Sequence, residues 1–249
     1  MSIKFNFNEK RFVVSGATSG IGRKISIDLA STGAEVLAIG RRKERLDDLK
    51  KIFPDNITPC PIDVNDFELL KSELEKFGEN KKIDGSVHAA GINKFTPLRA
   101  FNWNDAEGII KTTLYAGIEM VRTLSSKKLS EVKSSHVLIA SVAGIKGEVG
   151  FTAYSAAKSA VIGAVRSMAV ELAIKDIRVN AITPGWLPTE MTDAIEARYP
   201  GRIDTIKLQH PLGLGSVEDI SNLVMFLLSD ESKWITGSNI VIDGGYSVK

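Results

Sequence analysis

Tyr154 and Lys158 stand four residues apart in the run Tyr-Ser-Ala-Ala-Lys, so a helix places them on one face. An unperturbed tyrosine titrates near ~10 and is a poor base at neutral pH. A nearby ammonium favours the phenolate and lowers the tyrosine pKa, so the pair can handle a proton. Such a pair also occurs on ordinary amphipathic helices. Ser141, thirteen residues before Tyr154, can join them, and its alternative role is a helix or turn cap.

A glycine-rich turn, Ser15–Gly22, lies between the apolar run Phe12–Val14 and the helix-like segment Ile21–Ala30. Its glycines allow the backbone to approach a ligand closely, and the free amides of the following helix suit a diphosphate. The spacing is G-x-x-x-G-x-G, which meets the usual dinucleotide fingerprint only in part. A plain strand-to-helix turn is the alternative interpretation.

Strand-like and helix-like segments alternate along the chain. The apolar runs predict seven strands at Arg11–Ser15, Glu35–Ile39, Ile57–Ile62, Gly85–Ala89, His136–Ala140, Arg178–Ile182 and Asn239–Ile242. The first helix should end at Gly33, and a later helix should be capped by Asn65. Continuous apolar strands are typical of a parallel sheet covered on both faces. We therefore predict one α/β domain over residues 1–249, a doubly wound Rossmann domain with a seven-stranded parallel sheet.

Several candidate ligand-binding residues follow predicted strands: Gly16, Asp63, Gly91, Ser141 and Pro184. Ligands of open parallel sheets bind beyond the carboxyl ends of the strands. These residues should therefore converge at one edge of the sheet.

Together these motifs resemble the short-chain dehydrogenase/reductase family over essentially the whole chain. The glycine turn matches its T-G-x-x-x-G-x-G, with Ser15 in place of Thr, and Ser141 with Tyr154 and Lys158 match its catalytic Ser and Y-x-x-x-K. The subgroup that the chain resembles most is the 3-oxoacyl-(acyl carrier protein) reductases. Four further segments are similar to family motifs: Asp63-Val64, His88-Ala89-Ala90-Gly91, Pro184-Gly185-Trp186-Leu187-Pro188-Thr189 and Ile242-Asp243-Gly244-Gly245.

The resemblance implies an oxidoreductase that transfers hydride between a nicotinamide and a carbonyl or secondary alcohol. Tyr154 would donate a proton to the carbonyl oxygen and Ser141 would hydrogen-bond that oxygen. Lys158 would lower the Tyr154 pKa and hold the nicotinamide ribose. The residues expected to bind the cofactor are Gly16, Thr18, Ser19, Gly20, Ile21, Gly22, Arg41, Arg42, Asp63, Val64, Ala90, Gly91, Tyr154, Lys158, Pro184, Gly185, Leu187 and Thr189. No metal ligand is assigned.

Two positions depart from the family pattern. Thr113-Leu114 stands where the family has an Asn-Leu pair, whose main-chain carbonyl is implied to hold a water in a proton relay to the lysine. Thr113 can keep that role, because its hydroxyl can bond the carbonyl of the previous turn and bend the helix. His88 is interpreted as a structural residue and receives no catalytic role.

Gly40 and Arg41 follow the second strand, where an acidic residue would accept the ribose hydroxyls of NAD(H). Glycine offers no acceptor, and Arg41 can form paired hydrogen bonds with a 2′-phosphate. The sequence therefore predicts NADP(H) as the cofactor. A solvated charge at the start of a helix is the alternative role of Arg41.

Composition limits the remaining function classes. The 249 residues carry a formal net charge of +2, so no polyanionic partner such as a nucleic acid is indicated. A single cysteine, Cys60, excludes an intrachain disulfide. No apolar run approaches the ~18 residues of a membrane helix, and the N-terminal residues lack the apolar core of a signal peptide. We expect a cytoplasmic protein.

The segment 186–211 is predicted to form a substrate lid, with Trp186, Leu187, Met191 and Tyr199 as its apolar members. Lys146, Glu148 and Phe151 should border the same pocket, because they lie between Ser141 and Tyr154. These residues leave acyl thioesters (acyl-carrier-bound ones included), sugar-derived ketones, steroid-like alcohols and small keto acids open as substrates.

The resemblance implies a homotetramer assembled through the Tyr154 helix and the last strand, with a dimer as the fallback. The alternative function is a catalytically weak, cofactor-binding regulator or partner protein of the same fold.

Overall fold

Seven parallel strands form one sheet in the order β3-β2-β1-β4-β5-β6-β7. The structure is a computed structural model that describes residues 5–249, apart from the side chain of Ala194. The strands are β1 (Arg11–Ser15), β2 (Glu35–Ile39), β3 (Ile57–Cys60), β4 (Ile83–His88), β5 (Ser130–Ile139), β6 (Arg178–Pro184) and β7 (Asn239–Ile242). The order reverses between β1 and β4, which is the place where such sheets bind ligands. The predicted fold is confirmed.

Helices cover both faces of this sheet. They are α1 (Gly20–Ser31), α2 (Lys43–Ile52), α3 (Phe67–Gly78), α4 (Trp103–Ile110), α5 (Ala116–Leu124), α6 (Thr152–Leu172), α7 (Glu190–Arg198), α8 (Arg202–Leu208) and α9 (Val217–Leu228). One core layer packs α1, α2 and α9 on the sheet, and the opposite layer packs α3, α5 and α6. The central strands are buried from both sides, which explains their continuous apolar sequences.

Four strands differ from the predicted bounds. β4 spans Ile83–His88 instead of Gly85–Ala89, so it begins two residues earlier and ends one residue earlier. β3 ends at Cys60 rather than Ile62, because Pro61 has no N–H to continue the ladder. β5 begins at Ser130, six residues before the predicted His136, and its polar first half pairs with β4 through an irregular register. β6 continues to Pro184, where it pairs with Ile242 on β7.

The start of α3 also differs from the prediction by one residue. Asp66, not Asn65, is the N-cap, since its carboxylate accepts a hydrogen bond from the Leu69 amide at 3.1 Å. The side chain of Asn65 instead donates to Thr112 Oγ1 at 2.9 Å. The sequence offers both residues as caps, and the tertiary contact with Thr112 decides between them.

This assignment can be tested by stability. Asp66→Ala should lower the free energy of unfolding by about 0.5–2 kcal/mol, because it removes the cap acceptor. Asp66→Ser keeps an acceptor and should recover most of that loss in urea denaturation. Equal stability of the alanine and wild-type proteins would contradict the cap.

Candidate active site

The glycine turn between β1 and α1 brings backbone close to β4. Gly16 has φ +72°, and a Cβ at this position would lie 2.8 Å from the backbone of Ala89 and Ala90. No larger residue fits between the two strand ends without displacing one of them. The turn therefore holds the first turn of α1 over the carboxyl edge of the sheet.

The start of α1 is built to receive an anion. Its N-cap, Ser19, makes no side-chain capping hydrogen bond. Within the described residues the amides of Gly20, Ile21 and Gly22 have no acceptor, and these residues line a cavity of about 450 Å³. Free amides at a helix N-terminus bind phosphate groups, so this end of the cavity fits the diphosphate of a dinucleotide.

The two arginines that follow β2, both expected to bind the cofactor, have different surroundings. Arg42 donates to Thr18 Oγ1 at 3.1–3.2 Å and to Glu190 Oε2 at 2.8 Å, so its guanidinium is already engaged. Arg41 lines the cavity, is exposed, and makes no side-chain hydrogen bond or ion pair with another described residue. Arg41 is thus the guanidinium that remains available to a ligand.

Gly40, before these arginines, is fixed by packing. A Cβ at Gly40 would lie 2.6 Å from Cγ2 of Thr18, the same threonine that holds Arg42. An acidic side chain could enter here only by displacing Thr18. The packing of Gly40 on Thr18 therefore opposes an acidic side chain at this position.

The three polar residues of the sequence motif lie together on the other side of this cavity. Ser141 follows β5, and Tyr154 and Lys158 lie on the first turns of α6. The Ser141 hydroxyl oxygen accepts a hydrogen bond from the Ala143 amide at 3.2 Å, so the capping interpretation of this serine also holds. The Lys158 ammonium lies 5.6 Å from the centroid of the Tyr154 ring and donates to the Ile139 carbonyl at 2.5 Å.

Burial shifts both titratable groups toward their neutral forms. Burial lowers the pKa of Lys158 to about 7. Burial raises the pKa of Tyr154, and the Ser141 hydroxyl offsets part of that rise. The Tyr154 pKa therefore shifts upward, opposite to the lowering expected from Lys158, because removal from water disfavours the phenolate.

Thr113 lies in a five-residue π-helical turn, Lys111–Tyr115, between α4 and α5. Its hydroxyl is buried without a hydrogen-bond partner, so the expected bond to the carbonyl of the preceding turn is absent. Thr113 does not itself line the cavity, but it lies beside it. Its Oγ1 lies 3.8 Å from the point where a Cβ on Gly91 would stand, and Lys158 Nζ lies 3.6 Å from the same point.

His88 links this π-helical turn to the glycine turn. Its Nε2 donates to the Thr112 carbonyl at 3.0 Å, so its Nδ1 accepts from the Ser15 hydroxyl at 2.9 Å. The Ser15 oxygen in turn accepts from the Ala90 amide at 3.3 Å. Both ring nitrogens are paired inside the protein, which supports the structural interpretation of this histidine.

All predicted site residues except Thr113 line the one cavity. For Leu187 the side chain packs into the core, so only its backbone faces a ligand. Of the expected pocket residues, Glu148, Phe151, Trp186 and Met191 line the cavity. Lys146 and Tyr199 do not line it and instead contact the rings of Tyr246 and Phe95. Asn93, Glu190 and Ile195 line it without having been predicted, since no motif marks them.

Comparison with known proteins shows the family of this chain. The family model described as enoyl-(acyl carrier protein) reductase matches residues 16–247. The chain is 34% identical to the 3-oxoacyl-[acyl-carrier-protein] reductase FabG of Thermotoga maritima over 238 residues, which cover 94% of this chain and 96% of the relative. It is 33% identical to the protein of the same name from Escherichia coli strain K12, over 96% of this chain and 98% of the relative.

Solved structures of the same fold carry different names. A short-chain dehydrogenase/reductase of the glucose/ribitol dehydrogenase type from Brucella melitensis has a TM-score of 0.92 at 28% identity, covering 98% of this chain and 99% of the other. A gluconate 5-dehydrogenase-like protein from Beutenbergia cavernae with bound NADP has a TM-score of 0.90 at 30% identity over the same shares. The chain belongs to the short-chain dehydrogenase/reductase family of oxidoreductases.

A third solved structure, a 4-hydroxyisoleucine dehydrogenase in complex with NADH, has a TM-score of 0.88 at 31% identity, covering 96% of this chain and 99% of the other. The named neighbours thus hold both forms of the nicotinamide cofactor. Among residues 5–249 no helix is both long enough and apolar enough to span a bilayer.

Two buried histidines predict how stability depends on pH. Burial lowers the pKa values of His88 and His136 to about 4, from an ordinary value of 6.5. The unfolded chain therefore binds protons first as the pH falls. The stabilisation by each neutral histidine is complete above pH 6.5 and is lost on descending to about pH 4, by up to about 3 kcal/mol per residue.

Urea unfolding at pH 6.5, 5.5 and 4.5 measures this loss. Carboxylates also titrate in the window, so His88→Gln serves as the comparison. Glutamine can still donate to the Thr112 carbonyl but does not titrate. The pH dependence of the free energy of unfolding should therefore weaken by the contribution of one histidine. An unchanged pH dependence in this variant would contradict the assignment.

Proposed function

We propose that this protein is an NADP(H)-dependent reductase or alcohol dehydrogenase that acts on a small-molecule carbonyl or secondary alcohol. The observation that carries the proposal is the shared cavity, where Ser141, Tyr154 and Lys158 face the free amides that begin α1. A catalytically weak regulator of the same fold is not favoured, because all three polar groups are present and close together.

The preference for NADP(H) is supported by the corner at the end of β2. The free guanidinium of Arg41 suits a 2′-phosphate, and an acidic side chain at position 40 would have to displace Thr18. The NADP-bound neighbour is consistent with this choice, although another neighbour carries NADH.

When bound, the cofactor supplies or accepts the hydride. Tyr154 then donates its phenolic proton to the oxygen that becomes anionic, and Ser141 hydrogen-bonds the same oxygen. Because burial holds the Lys158 pKa near 7, a small electrostatic change at the site would charge this lysine. The charged lysine would favour the phenolate after proton transfer and bind ribose hydroxyls. Thr113, which lies beside Lys158, is proposed to keep the water-holding role of its main chain.

The segment 186–211, with α7 and α8, is proposed as the substrate lid. Glu190, at the start of α7, binds Arg42 and Arg45 on the cofactor side of the cavity. Met191 and Ile195 face the cavity from the same helix. The lid is thereby tied to the corner where the adenosine would bind, which links cofactor binding to closure over the substrate. Acyl-carrier-bound substrates, as in the names of the relatives, fall within this proposal.

Cofactor selectivity tests the role of Arg41. NADPH should bind about ten- to a hundredfold more tightly than NADH, as expected for a charged hydrogen bond. Arg41→Ala should remove this preference in fluorescence titrations, whereas Arg42→Ala should reduce it less because Arg42 already binds Thr18 and Glu190. Equal affinities in the wild type, or an unchanged preference in Arg41→Ala, would exclude the assignment.

Substitution of Tyr154 tests the chemistry. Tyr154→Phe keeps the ring but loses the transferable proton, so kcat should fall by about 10²- to 10⁴-fold while NADPH still binds. Lys158→Ala should weaken both turnover and cofactor binding. Substantial activity of Tyr154→Phe on a verified substrate would show that another group donates the proton.

A cytoplasmic homotetramer is the proposed assembly. Three exposed apolar side chains lie near α6 and β7: Val170 (81% exposed) in the last turn of α6, Ile174 (90%) just after that helix and Trp234 (97%) five residues before β7. Burial of such side chains in a closed interface is favourable. Light scattering at micromolar concentration should give four times the chain mass of 27.0 kDa.

A bulky residue on α6 tests where the subunits meet. Gly163 is exposed with nothing within 4 Å of its Cβ position, so Gly163→Trp should fit the subunit and lower the mass of the assembly. Lys51→Trp on α2 is the control and should leave the mass unchanged. A monomeric wild-type protein would refute the proposed assembly.

A further inference from the structure

Tyr246, near the C-terminus, connects two parts of the cavity wall. Its buried hydroxyl donates to Glu148 Oε1, 98 residues away in the chain. The indole N–H of Trp186 also faces this hydroxyl and acts to lower its pKa, although burial raises that pKa above its ordinary value. An indole N–H can only donate, so the tyrosine proton is directed toward the carboxylate.

Tyr246 is itself held firmly on both ring faces. The His210 ring stacks on it at 4.4 Å, and Lys146 Nζ lies 3.9 Å from its centroid while donating to the Tyr246 carbonyl at 2.8 Å. His210 Nδ1 donates to the Ile206 carbonyl at 2.8 Å, so its Nε2 is free to accept from the Trp186 amide at 3.4 Å. The C-terminal segment, the lid and the loop after Ser141 therefore form one rigid cluster.

Glu148 and the proton donor Tyr154 lie on the same cavity. A turn that is closed by a hydrogen bond from the Phe151 amide to the Glu148 carbonyl joins Glu148 to the start of α6, which carries Tyr154. The Phe151 ring then packs edge-on against Tyr154 at 6.0 Å and against Trp186 at 6.3 Å. Glu148 Oε1 is occupied by Tyr246, whereas Oε2 makes no hydrogen bond to another described residue. Glu148 thus lines the same cavity as Tyr154 and keeps one carboxylate oxygen as an acceptor.

The charges around the cavity are distributed unevenly. The cationic side chains that line it are Arg41, Arg42 and Lys158, and the first two belong to the cofactor corner. Lys158 is buried against the Ile139 carbonyl beneath Tyr154. Around Phe151 and Trp186, Glu148 is the only charged side chain of the described residues that lines the cavity. Lys146 and Arg202 lie over the rings of Tyr246 and Phe95 and do not line the cavity. The charge that a substrate carboxylate would meet on the cavity wall there is therefore Glu148, whereas a substrate hydroxyl would meet an acceptor.

We propose that Glu148 determines substrate selectivity by accepting a hydrogen bond from a hydroxyl of a neutral polyhydroxylated ketone or polyol, with Tyr246 as its positioning residue. This inference rests on the proposed oxidoreductase function and narrows its substrate class. Small keto acids are disfavoured by charge, and simple acyl chains leave the Glu148 oxygen unpaired. The aromatic faces of Phe151 and Trp186 suit the C–H faces of such a substrate.

The test uses NADPH oxidation with three kinds of carbonyl compound. Neutral five- and six-carbon ketoses are paired with keto acids of equal length in which a terminal CH₂OH is a carboxylate. Butane-2,3-dione, which has no hydroxyl, reports the chemistry alone, and a 3-oxoacyl thioester represents the acyl class. In the wild type, kcat/KM for the best ketose should exceed that of its paired keto acid by at least about tenfold.

Variants of Glu148 should change this selectivity. Glu148→Leu should lower the ketose-to-dione ratio of kcat/KM by about ten- to a hundredfold, as expected for loss of a charged hydrogen bond. Glu148→Lys should reverse the preference toward the keto acid. Tyr246→Phe should raise KM for the ketose more than it changes kcat. Glu131→Gln, an exposed change on β5 away from the site, is the matched control and should leave every ratio unchanged.

The outcomes separate this inference from the function on which it rests. Turnover of the dione together with a ketose ratio that stays within twofold in Glu148→Leu would overturn the role of Glu148. A wild-type preference for the thioester or the keto acid would overturn the substrate class. Failure to bind NADPH and to reduce any carbonyl, the dione included, would instead refute the proposed function, and the inference with it.

Discussion

The hydrogen bonds of His88 hold the two halves of the site together. One ring nitrogen binds Ser15 at the glycine turn, and the other binds the Thr112 carbonyl in the π-helical turn near Lys158. Because a neutral imidazole has one donor and one acceptor, the two contacts also define its protonation. The start of α1, proposed to bind the phosphates of the cofactor, and the surroundings of Lys158 thus share one buried anchor. β1 and β4 are neighbours in the sheet, so the ends of these two strands are adjacent. The hydrogen bond between Ser15 and His88 joins them.

Burial then sets the electrostatics of the site. Burial pushes both Lys158 and Tyr154 toward neutrality, because a buried charge without a counter-ion is costly. The Ile139 carbonyl is the partner that holds the lysine in place meanwhile. The site is consequently preorganised in position but not in charge. The proposed mechanism needs a partner of the lysine, such as ribose hydroxyls, to complete it.

The seven-stranded parallel sheet and most of the cavity lining could be predicted from the sequence, because they depend on local patterns. Apolar runs define the strands. The sequence spacing of Ser141, Tyr154 and Lys158 predicts a shared site, and the three residues line one cavity in the structure. The features that were missed depend on contacts between distant segments. Asp66 rather than Asn65 caps α3, because the side chain of Asn65 donates a hydrogen bond to Thr112. The engagement of Arg42 depends on Glu190, 148 residues further along the chain.

The π-helical turn was also hidden, since the residues of Lys111–Tyr115 carry no helix-breaking signal. The link between Tyr246 and Glu148 could not be predicted either, because it joins two distant segments, the C-terminal segment and a central loop. Sequence motifs thus identified the cofactor half of the site better than the substrate half. The substrate half is built from lid, loop and C-terminus, and no local spacing rule relates these segments.

The central claim is that hydride transfer to a carbonyl carbon takes place in this cavity. The direct measurement is reduction of a verified ketone with NADPH deuterated at the transferring C4 position, followed by mass spectrometry of the alcohol. The account predicts one deuterium on the carbinol carbon, with the hydroxyl proton exchanged with water. An alcohol that forms without deuterium at that carbon, although the deuterated cofactor is consumed, would contradict it.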